Sequence, residues 1–241
     1  MEIDPETLTP GLRYNLVIGT VVPRPIAVVG TVSIDGRPNL APFSCFMYAG
    51  TNPLTLVVSP ANPSTPSNAP GSGPPDLPQA ASEKDTLRNA KPVSEGGTGE
   101  FTVSIATEAT IQRVVACAEP LAHGDSEFEF AGLRSAPSTK VSAPRLADTP
   151  VSFECVTTQV IRLNPGAPGG GNLLIGTVVN IHLRDDLAHE RYHIDAARLR
   201  AVGRMGGPQY CTTRERATIP MGAQALATAV EWQRDAGSRA R

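Results

Sequence analysis

Long hydrophobic runs, paired cysteines and an excess of one charge are all missing from this sequence. No apolar stretch approaches the roughly 20 residues that a membrane-spanning helix requires, and the acidic start MEIDPETL differs from the basic, then apolar, start of a secretory signal. The 21 Lys and Arg side chains nearly balance 23 Asp and Glu side chains, which excludes a broad electrostatic surface for nucleic acid or anionic lipid. We therefore expect a cytoplasmic protein with no nucleic-acid or membrane partner.

Cysteine pairing and metal ligation are also absent from the pattern. The four cysteines lie far apart, with no CxxC pair and no histidine at zinc-ligand spacing: Cys45, Cys117, Cys155 and Cys211. This spacing predicts neither a disulfide framework nor a metal site. Cys45 is expected to be a small buried apolar side chain rather than a reactive thiol.

Strand signals dominate what is present. Ile26 to Ser33 is rich in β-branched residues, and Asp35-Gly36 is a hairpin signal before a second run that leads to Phe46. Further strands are predicted at Leu54–Val58, Phe101–Ile105, Val151–Ile161 and Leu173–Leu183, the last two joined by a glycine-rich turn. The pattern predicts a mostly β fold, an antiparallel barrel that is closed or nearly closed, because closure removes sheet edges.

Two short helices and an insertion interrupt these strands. A helix capped by Asp85 or Thr86 is predicted to run to Ala90, and a second is predicted after Thr107, where four apolar residues share one helical face: Ile111, Val114, Val115 and Ala118. Residues 61–82 hold six prolines and almost no large apolar side chain. That composition predicts a surface insertion, because it contributes little to a core.

The strongest local feature is the stretch PRPIAVVGTVSIDGRPNLAPFSCF, from Pro23 to Phe46. Proline has no N–H to donate to a ladder, so Pro42 predicts a strand end or bulge with free backbone groups. Free N–H groups can face a ligand. On spacing alone, an edge strand with an ordinary bulge is the favoured explanation of the stretch.

These motifs resemble the flavin reductase-like family, close to its flavoredoxin branch, within the FMN-binding split barrels. The family's PRPIA strand, its dG-x-x-N-x-A-P-F-S segment and its KDT tripeptide are matched in order by Pro23–Ala27, Asp35–Ser44 and Lys84–Thr86. Later blocks match as well, including Phe153-Glu154-Cys155 and Arg204 to Tyr210. The resemblance spans about residues 13–212, so we expect a split-barrel domain over 1–212 with peripheral helices, and a C-terminal extension over 213–241.

The resemblance implies an FMN site in the segment 39–45 and the KDT tripeptide. Lys84 and Thr86 match the family's phosphate and ribityl contacts, with Arg24 and Ser59 as further phosphate partners; a solvated surface lysine is the alternative for Lys84. Backbone and side chains of the segment are expected to contact the isoalloxazine. The residues assigned to the cofactor on this basis are Asn39, Ala41, Pro42, Phe43, Ser44 and Cys45. For Phe43 a core role is the alternative.

The end of the matched region gives two further candidates. Arg204 and Tyr210 belong to the family's closing block, near the cofactor or the subunit interface, although Arg204 is also a candidate for pairing with an acidic neighbour. His123 either borders the substrate side or is a solvated loop residue, and His182, His189 and His193 are expected to be solvated. No catalytic side chain and no metal ligand is predicted.

The implied activity is FMN-dependent oxidation of NADH or NADPH, with transfer to a small-molecule electron acceptor by a homodimer. The cofactor supplies the chemistry. The alternatives are a module that binds flavin or another planar ligand without turnover and, ranked last, a pyridoxamine-phosphate oxidase-like activity. One departure matters: where many relatives carry a basic link before KDT, this chain has the insertion over 61–82, which contains no basic residue.

Overall fold

A seven-stranded antiparallel sheet forms the centre of the computed structural model, which describes residues 1–63, 83–122 and 125–235. In order along the sheet the strands are β3 (Pro38–Phe43), β2 (Ala27–Val32), β6 (Glu100–Ile105), β9 (Val151–Arg162), β10 (Asn172–Leu183), β5 (Leu54–Val58) and β4 (Phe46–Thr51). All the predicted strands are confirmed. Strand β4 was not predicted, because most of its side chains are exposed and it lacks an alternating pattern.

The two edge strands of this sheet are neighbours in sequence. Only Ser44 and Cys45 separate the end of β3 from the start of β4, so the sheet must curl until its edges meet at that point. Ser59, just after β5, donates its N–H to the Cys45 carbonyl at 2.8 Å and fixes the junction. This arrangement is consistent with the predicted split barrel: the two edge strands meet at Ser44-Cys45, and no ladder joins β3 to β4 in the described residues.

Two apolar clusters lie on opposite sides of β2 and β3. Phe43, Val29 and Phe101 belong to the cluster inside the barrel, and Leu40 and Val28 belong to the cluster outside it. This division follows from the period of two along a strand, which sends alternate side chains to opposite faces. Gly176 on β10 permits the inner packing, since a Cβ there would lie 2.5 Å from the Phe101 ring.

Six α-helices surround the sheet in the described residues: α1 (Pro10–Thr20), α2 (Asp85–Ala90), α3 (Ile111–Ala116), α4 (Glu127–Phe130), α5 (Ala196–Leu199) and α6 (Gln224–Ala227). The predicted helices at 85–90 and after Thr107 are confirmed. The predicted cap of α2 is wrong: Lys84 is the N-cap, without a side-chain cap bond, and Asp85 contacts Arg88 instead. None of the described helices is long and apolar enough to cross a bilayer.

Smaller sheets complete the chain. Strands β1 (Arg24–Pro25), β11 (Val202–Arg204) and β12 (Tyr210–Thr212) form one sheet, and β7 (Ser135–Ala136) pairs with β8 (Arg145–Leu146). Beyond residue 212 the chain pairs β13 (Glu215–Arg216) with β14 (Gln233–Arg234), and Arg214 forms an ion pair with Glu108. Helix α6 lies within the predicted C-terminal extension; residues 236–241 of that extension lie outside the described residues.

Both ends of the predicted insertion are tied to one place on the barrel. Asn62 is buried, donates its backbone N–H to Gly170 and accepts from Asn172 at 2.9 Å. Glu83 is buried and accepts from Arg162 at 2.9 Å. Asn172 and Arg162 face each other across β9 and β10. The segment therefore leaves and rejoins the fold beside a single residue pair; residues 64–82 lie outside the described residues.

A buried carboxylate on β9 holds the connection before that strand. Glu154 has no exposed surface and accepts three backbone N–H groups, from Thr139, Lys140 and Val141, at 2.5 to 3.2 Å. Asn180 and His182 on β10 also reach it, at 3.0 and 2.5 Å. The expectation that His182 is a solvated residue was therefore wrong, because its ring bonds the buried Glu154.

Candidate functional site

The Lys84 ammonium group lies over the Phe43 ring, 5.9 Å from its centroid. Phe43 is also part of the inner core, which confirms the core role weighed for it; its contact with the isoalloxazine stays a prediction. Lys84 is an exposed residue, but partial desolvation of its ammonium group by neighbouring atoms lowers its pKa, because desolvation disfavours the charged form. No hydrogen bond or ion pair to this ammonium occurs within residues 1–63, 83–122 and 125–235. Lys84 is thus a partly desolvated cation that lacks a counter-anion in the described chain.

A buried polar network fixes Lys84 relative to the sheet. The Asn39 amide donates to Thr31 at 3.2 Å and to Thr86 at 3.3 Å, and Asn89 donates to the same Thr31 hydroxyl at 3.1 Å. These bonds tie α2 to β2 and β3. Buried polar groups that are all satisfied rigidify their surroundings, so the predicted site residues Asn39 and Thr86 position α2 and the Lys84 that precedes it.

The free N–H groups predicted for the segment 39–45 are confined to its end. Leu40 donates its N–H to the Glu127 carboxylate at 3.0 Å, on the side away from β2. Because N–H groups alternate in direction along a strand, the N–H groups of Asn39 and Ala41 point toward β2 and belong to its ladder. The remaining outward positions, Pro38 and Pro42, have no N–H. Only beyond the strand are donors free.

Those donors belong to Ser44 and Cys45. Neither backbone N–H has an acceptor in the part of the chain that the structure describes. The Cys45 side chain is exposed, so the expectation of a small buried apolar residue was wrong. The reason is local: the turn between the two edge strands points the side chain away from the core. Ser59 lies beside the same turn through its bond to the Cys45 carbonyl.

Arg24 is a buried residue that contacts this turn through Ser44. Its guanidinium is buried and donates to the carbonyls of Ile18 at 2.7 Å, Val21 at 2.6 Å and Met205 at 3.1 Å. Nε donates to the Ser44 hydroxyl at 3.4 Å. These bonds occupy all three nitrogens and join α1, the closing block and the segment 39–45. A phosphate contact for Arg24 stays a prediction, and its observed role is to position these three elements.

A cleft of about 110 Å³ opens on the outer side of β3. Its lining combines the predicted face of α3, two residues of the segment 39–45 and the closing block: Ile26, Pro42, Ser44, Ile111, Val114, Val115, Ala118, Arg204 and Tyr210. Arg204 stacks on the Tyr210 ring at 4.6 Å and hydrogen-bonds its hydroxyl. Arg204 forms no ion pair with an acidic side chain in the described ranges.

The structure therefore gathers the predicted residues in two adjacent places. Phe43, Ser59, Lys84 and Thr86 lie on the inner side of β3 or at its end, while Pro42, Arg204 and Tyr210 lie on the outer side, and Ser44 joins the two. His123 lies outside the described residues. Sequence reasoning missed Glu127, whose contact with Leu40 joins residues 87 positions apart and leaves no local signal.

Comparison with known proteins identifies the relatives of this chain. The model of the flavin reductase like domain family matches residues 18–200. An uncharacterised protein of Halalkalibacterium halodurans is 37% identical over 213 residues, which cover 87% of this chain and 91% of that protein.

Two solved structures of similar length share the fold. The nitrilotriacetate monooxygenase component B of Bacillus cereus superposes with a TM-score of 0.76 at 30% identity, covering 90% of this chain and 96% of that one. The 2-nitrobenzoate 2-nitroreductase of Pseudomonas fluorescens gives a TM-score of 0.75 at 28% identity, covering 92% and 97%. The likeness extends over nearly the whole of each chain.

Proposed function

The chain belongs to the flavin reductase-like family, and from this membership and the site described above we propose that it is an FMN-dependent oxidoreductase. When bound, FMN would take hydride from NADH or NADPH and pass electrons to a small-molecule acceptor. The observation that carries the proposal is Lys84, a cation that the described residues leave without a counter-anion. A phosphate group is an anion of the required kind.

In this proposal each part of the site has a distinct task. Lys84 binds the phosphate, and Ser59, at the end of β5, lies close enough to the turn to contact the ribityl chain or phosphate. The free N–H groups of Ser44 and Cys45 donate to the carbonyl and nitrogen edge of the isoalloxazine. Asn39 and Thr86 hold α2 in place. Because the cofactor supplies the chemistry, no acidic or basic side chain is required.

The proposal also includes a homodimer. Helix α1 buries none of its residues, and Leu12 and Leu16, one turn apart on the same face, are exposed at 53% and 44%. An apolar helix face of this kind marks an interaction surface, and a second copy is the occupant that the family resemblance implies. Sedimentation analysis of the purified chain tests it: a monomer at all concentrations would exclude the dimer.

Spectroscopy tests the redox assignment. The purified protein, reconstituted with FMN, should show a flavin spectrum that bleaches under anaerobic conditions on addition of NADH or NADPH. A flavin spectrum that does not bleach would support the alternative of a binding module without turnover. Colourless protein that cannot be reconstituted with FMN would exclude both the flavin enzyme and the flavin-binding module.

A matched pair of lysine variants tests the site. Lys84→Ala should weaken FMN binding by about 1.5 to 3 kcal/mol, the value of a hydrogen bond to a charged group, whereas Lys140→Ala, at an exposed position, should leave it unchanged. Fluorescence titration with FMN measures both. Equal affinities for the two variants would return Lys84 to a surface role.

A further inference from the structure

The cleft on the outer side of β3 combines an apolar wall with one cation. Ile111, Val114 and Val115 of α3 and Pro42 of β3 form the wall, and the Arg204 guanidinium lies at the rim, stacked on Tyr210. Binding sites for small organic molecules have this composition, with apolar walls for affinity and a few polar groups for orientation.

The positive charge at this cleft is not neutralised by the described chain. Of the five N–H donors of a guanidinium, Arg204 uses one on the Tyr210 hydroxyl and one on the Gly207 carbonyl. Arg24 faces Arg204 directly across β1 and β11, is buried behind Ser44 and also bonds only to neutral groups. Like charges opposite each other on paired strands are destabilising. A bound anion would relieve that repulsion.

The size of the cleft limits what enters it. Its volume is about 110 Å³, below the roughly 300 Å³ at which pockets for larger organic ligands begin. An apolar cavity of about 150 Å³ holds benzene. A single ring that extends partly into solvent therefore fits the cleft, whereas the three fused rings of a flavin do not.

We propose that this cleft binds a single-ring aromatic carboxylate, with the ring against Pro42 and α3 and the carboxylate on Arg204. Ser44 lines the cleft and also belongs to the turn whose N–H groups are free. The inference rests on the proposed function only because a flavin bound at that turn would lie beside this ligand. It names the class of the second substrate. Binding itself requires no flavin.

Benzoate is the probe, and benzyl alcohol is its neutral counterpart of similar shape. Calorimetric titration is performed on the full chain, both free of FMN and reconstituted with it. Benzoate should bind at least about tenfold more tightly than benzyl alcohol, because a carboxylate forms charge-assisted hydrogen bonds with a guanidinium. Equal affinities, or no binding of benzoate, would overturn the proposal.

Three variants locate the binding. Arg204→Gln removes the charge and should weaken benzoate binding about tenfold or more. Ala118→Phe, at an exposed position of the lining, fills the cleft and should abolish it. Arg37→Gln, an exposed arginine in the β2–β3 turn, is the control and should change nothing.

Thermal melting shows whether each variant is folded, and Ala118→Phe decides the outcome if Arg204→Gln does not fold. Benzoate binding that survives both cleft variants would place the ligand elsewhere and overturn the proposal. If the protein binds benzoate in the cleft but cannot be reconstituted with FMN, the proposed function fails while this inference stands. If the protein binds FMN but not benzoate, this inference fails while the proposed function is unaffected.

Discussion

Glu154 and Glu127 both accept backbone N–H groups, and their surroundings push their pKa values in opposite directions. Burial alone would raise the pKa of Glu154, but the hydrogen bonds that it accepts from Asn180, His182 and the backbone outweigh burial and lower it to about 2. At Glu127 burial raises the pKa and the nearby Asp85 charge raises it further, and the hydrogen bonds from the backbone N–H groups of Leu40 and of Glu127 itself do not offset this rise. The number of hydrogen bonds that each carboxylate accepts therefore decides whether its pKa is lowered or raised.

The difference separates a structural region from a region next to the candidate site. Glu154 lies where β9 and β10 meet the connection at 139–141, and its ionised form stabilises the fold. Glu127 joins α4 to the edge strand that leads to Ser44, and its ionised form is the costly one. Variants at these positions therefore have effects of opposite sign.

Removal of the Glu154 carboxylate should have the largest effect. Glu154→Ala leaves three N–H groups and two side chains without their acceptor in a fully buried place, and losses of this kind cost about 3 to 5 kcal/mol. Urea unfolding measures it. The control Glu119→Ala, at an exposed position, should stay within about 0.5 kcal/mol of the parent. A loss below about 1 kcal/mol for Glu154→Ala would show that the network contributes little.

Acid should remove most of the same stabilisation. The folded-state pKa of Glu154 lies below its ordinary value of 4.5. Its contribution to the free energy of unfolding is therefore complete above pH 4.5 and is lost as the pH falls toward 2. The loss should be about 3 kcal/mol. Comparison of the parent with Glu154→Gln between pH 6 and pH 2 isolates it, since the amide does not titrate. Parallel stability curves for the two proteins would contradict the assignment.

Loss of one donor should have a smaller effect. His182→Ala removes one of the five groups that bond Glu154, and a hydrogen bond of this kind contributes about 1 kcal/mol. The matched control is His189→Ala, whose ring is 64% exposed and lies 3.6 Å from Asp195. Thermal unfolding of the two variants should differ, and equal melting temperatures would mean that His182 does not support Glu154.

The smallest effect, of opposite sign, is expected at Glu127. Glu127→Gln keeps an acceptor for the Leu40 N–H and removes the charge, so it should stabilise the protein at pH 7.5, by less than about 1 kcal/mol. Since the folded-state pKa is raised, the gain should disappear as the pH falls to the ordinary carboxyl value of 4.5. Denaturant unfolding at pH 7.5 and pH 4 tests both statements. Destabilisation at pH 7.5 would mean that the ionised form supports the strand.

Neither glutamate could be identified from the sequence, because what distinguishes them is contact with distant segments. Glu154 bonds residues 13 to 28 positions away, and Leu40 lies 87 positions from Glu127. The strands were predictable because β-branched runs such as Ala27–Val32 carry a local signal. Helix α1 also had one, the Thr9-Pro10 start, with Thr9 as N-cap, but it was not recognised.

The candidate site was predictable as a set of residues but not as an arrangement. The order of its motifs gave Phe43, Ser44 and Lys84 as candidates, and the structure places Lys84 over Phe43, which directly precedes Ser44. Which side of β3 each residue occupies depends on the pleat and on the register with β2, which the motifs do not encode. The division between the inner side with Lys84 and the outer cleft with Arg204 therefore became visible only in the structure.

The anchoring of the insertion has a consequence for engineering. Asn62 and Glu83 are both fixed beside the Asn172 and Arg162 pair, so the ends of the intervening chain are held in place whatever its length. Closing a loop between fixed ends costs only about 0.6 kcal/mol for each doubling of its length. We therefore expect the chain between residues 63 and 83 to tolerate shortening, or the grafting of an affinity tag, a reporter or a second domain, as long as Asn62 and Glu83 keep their contacts.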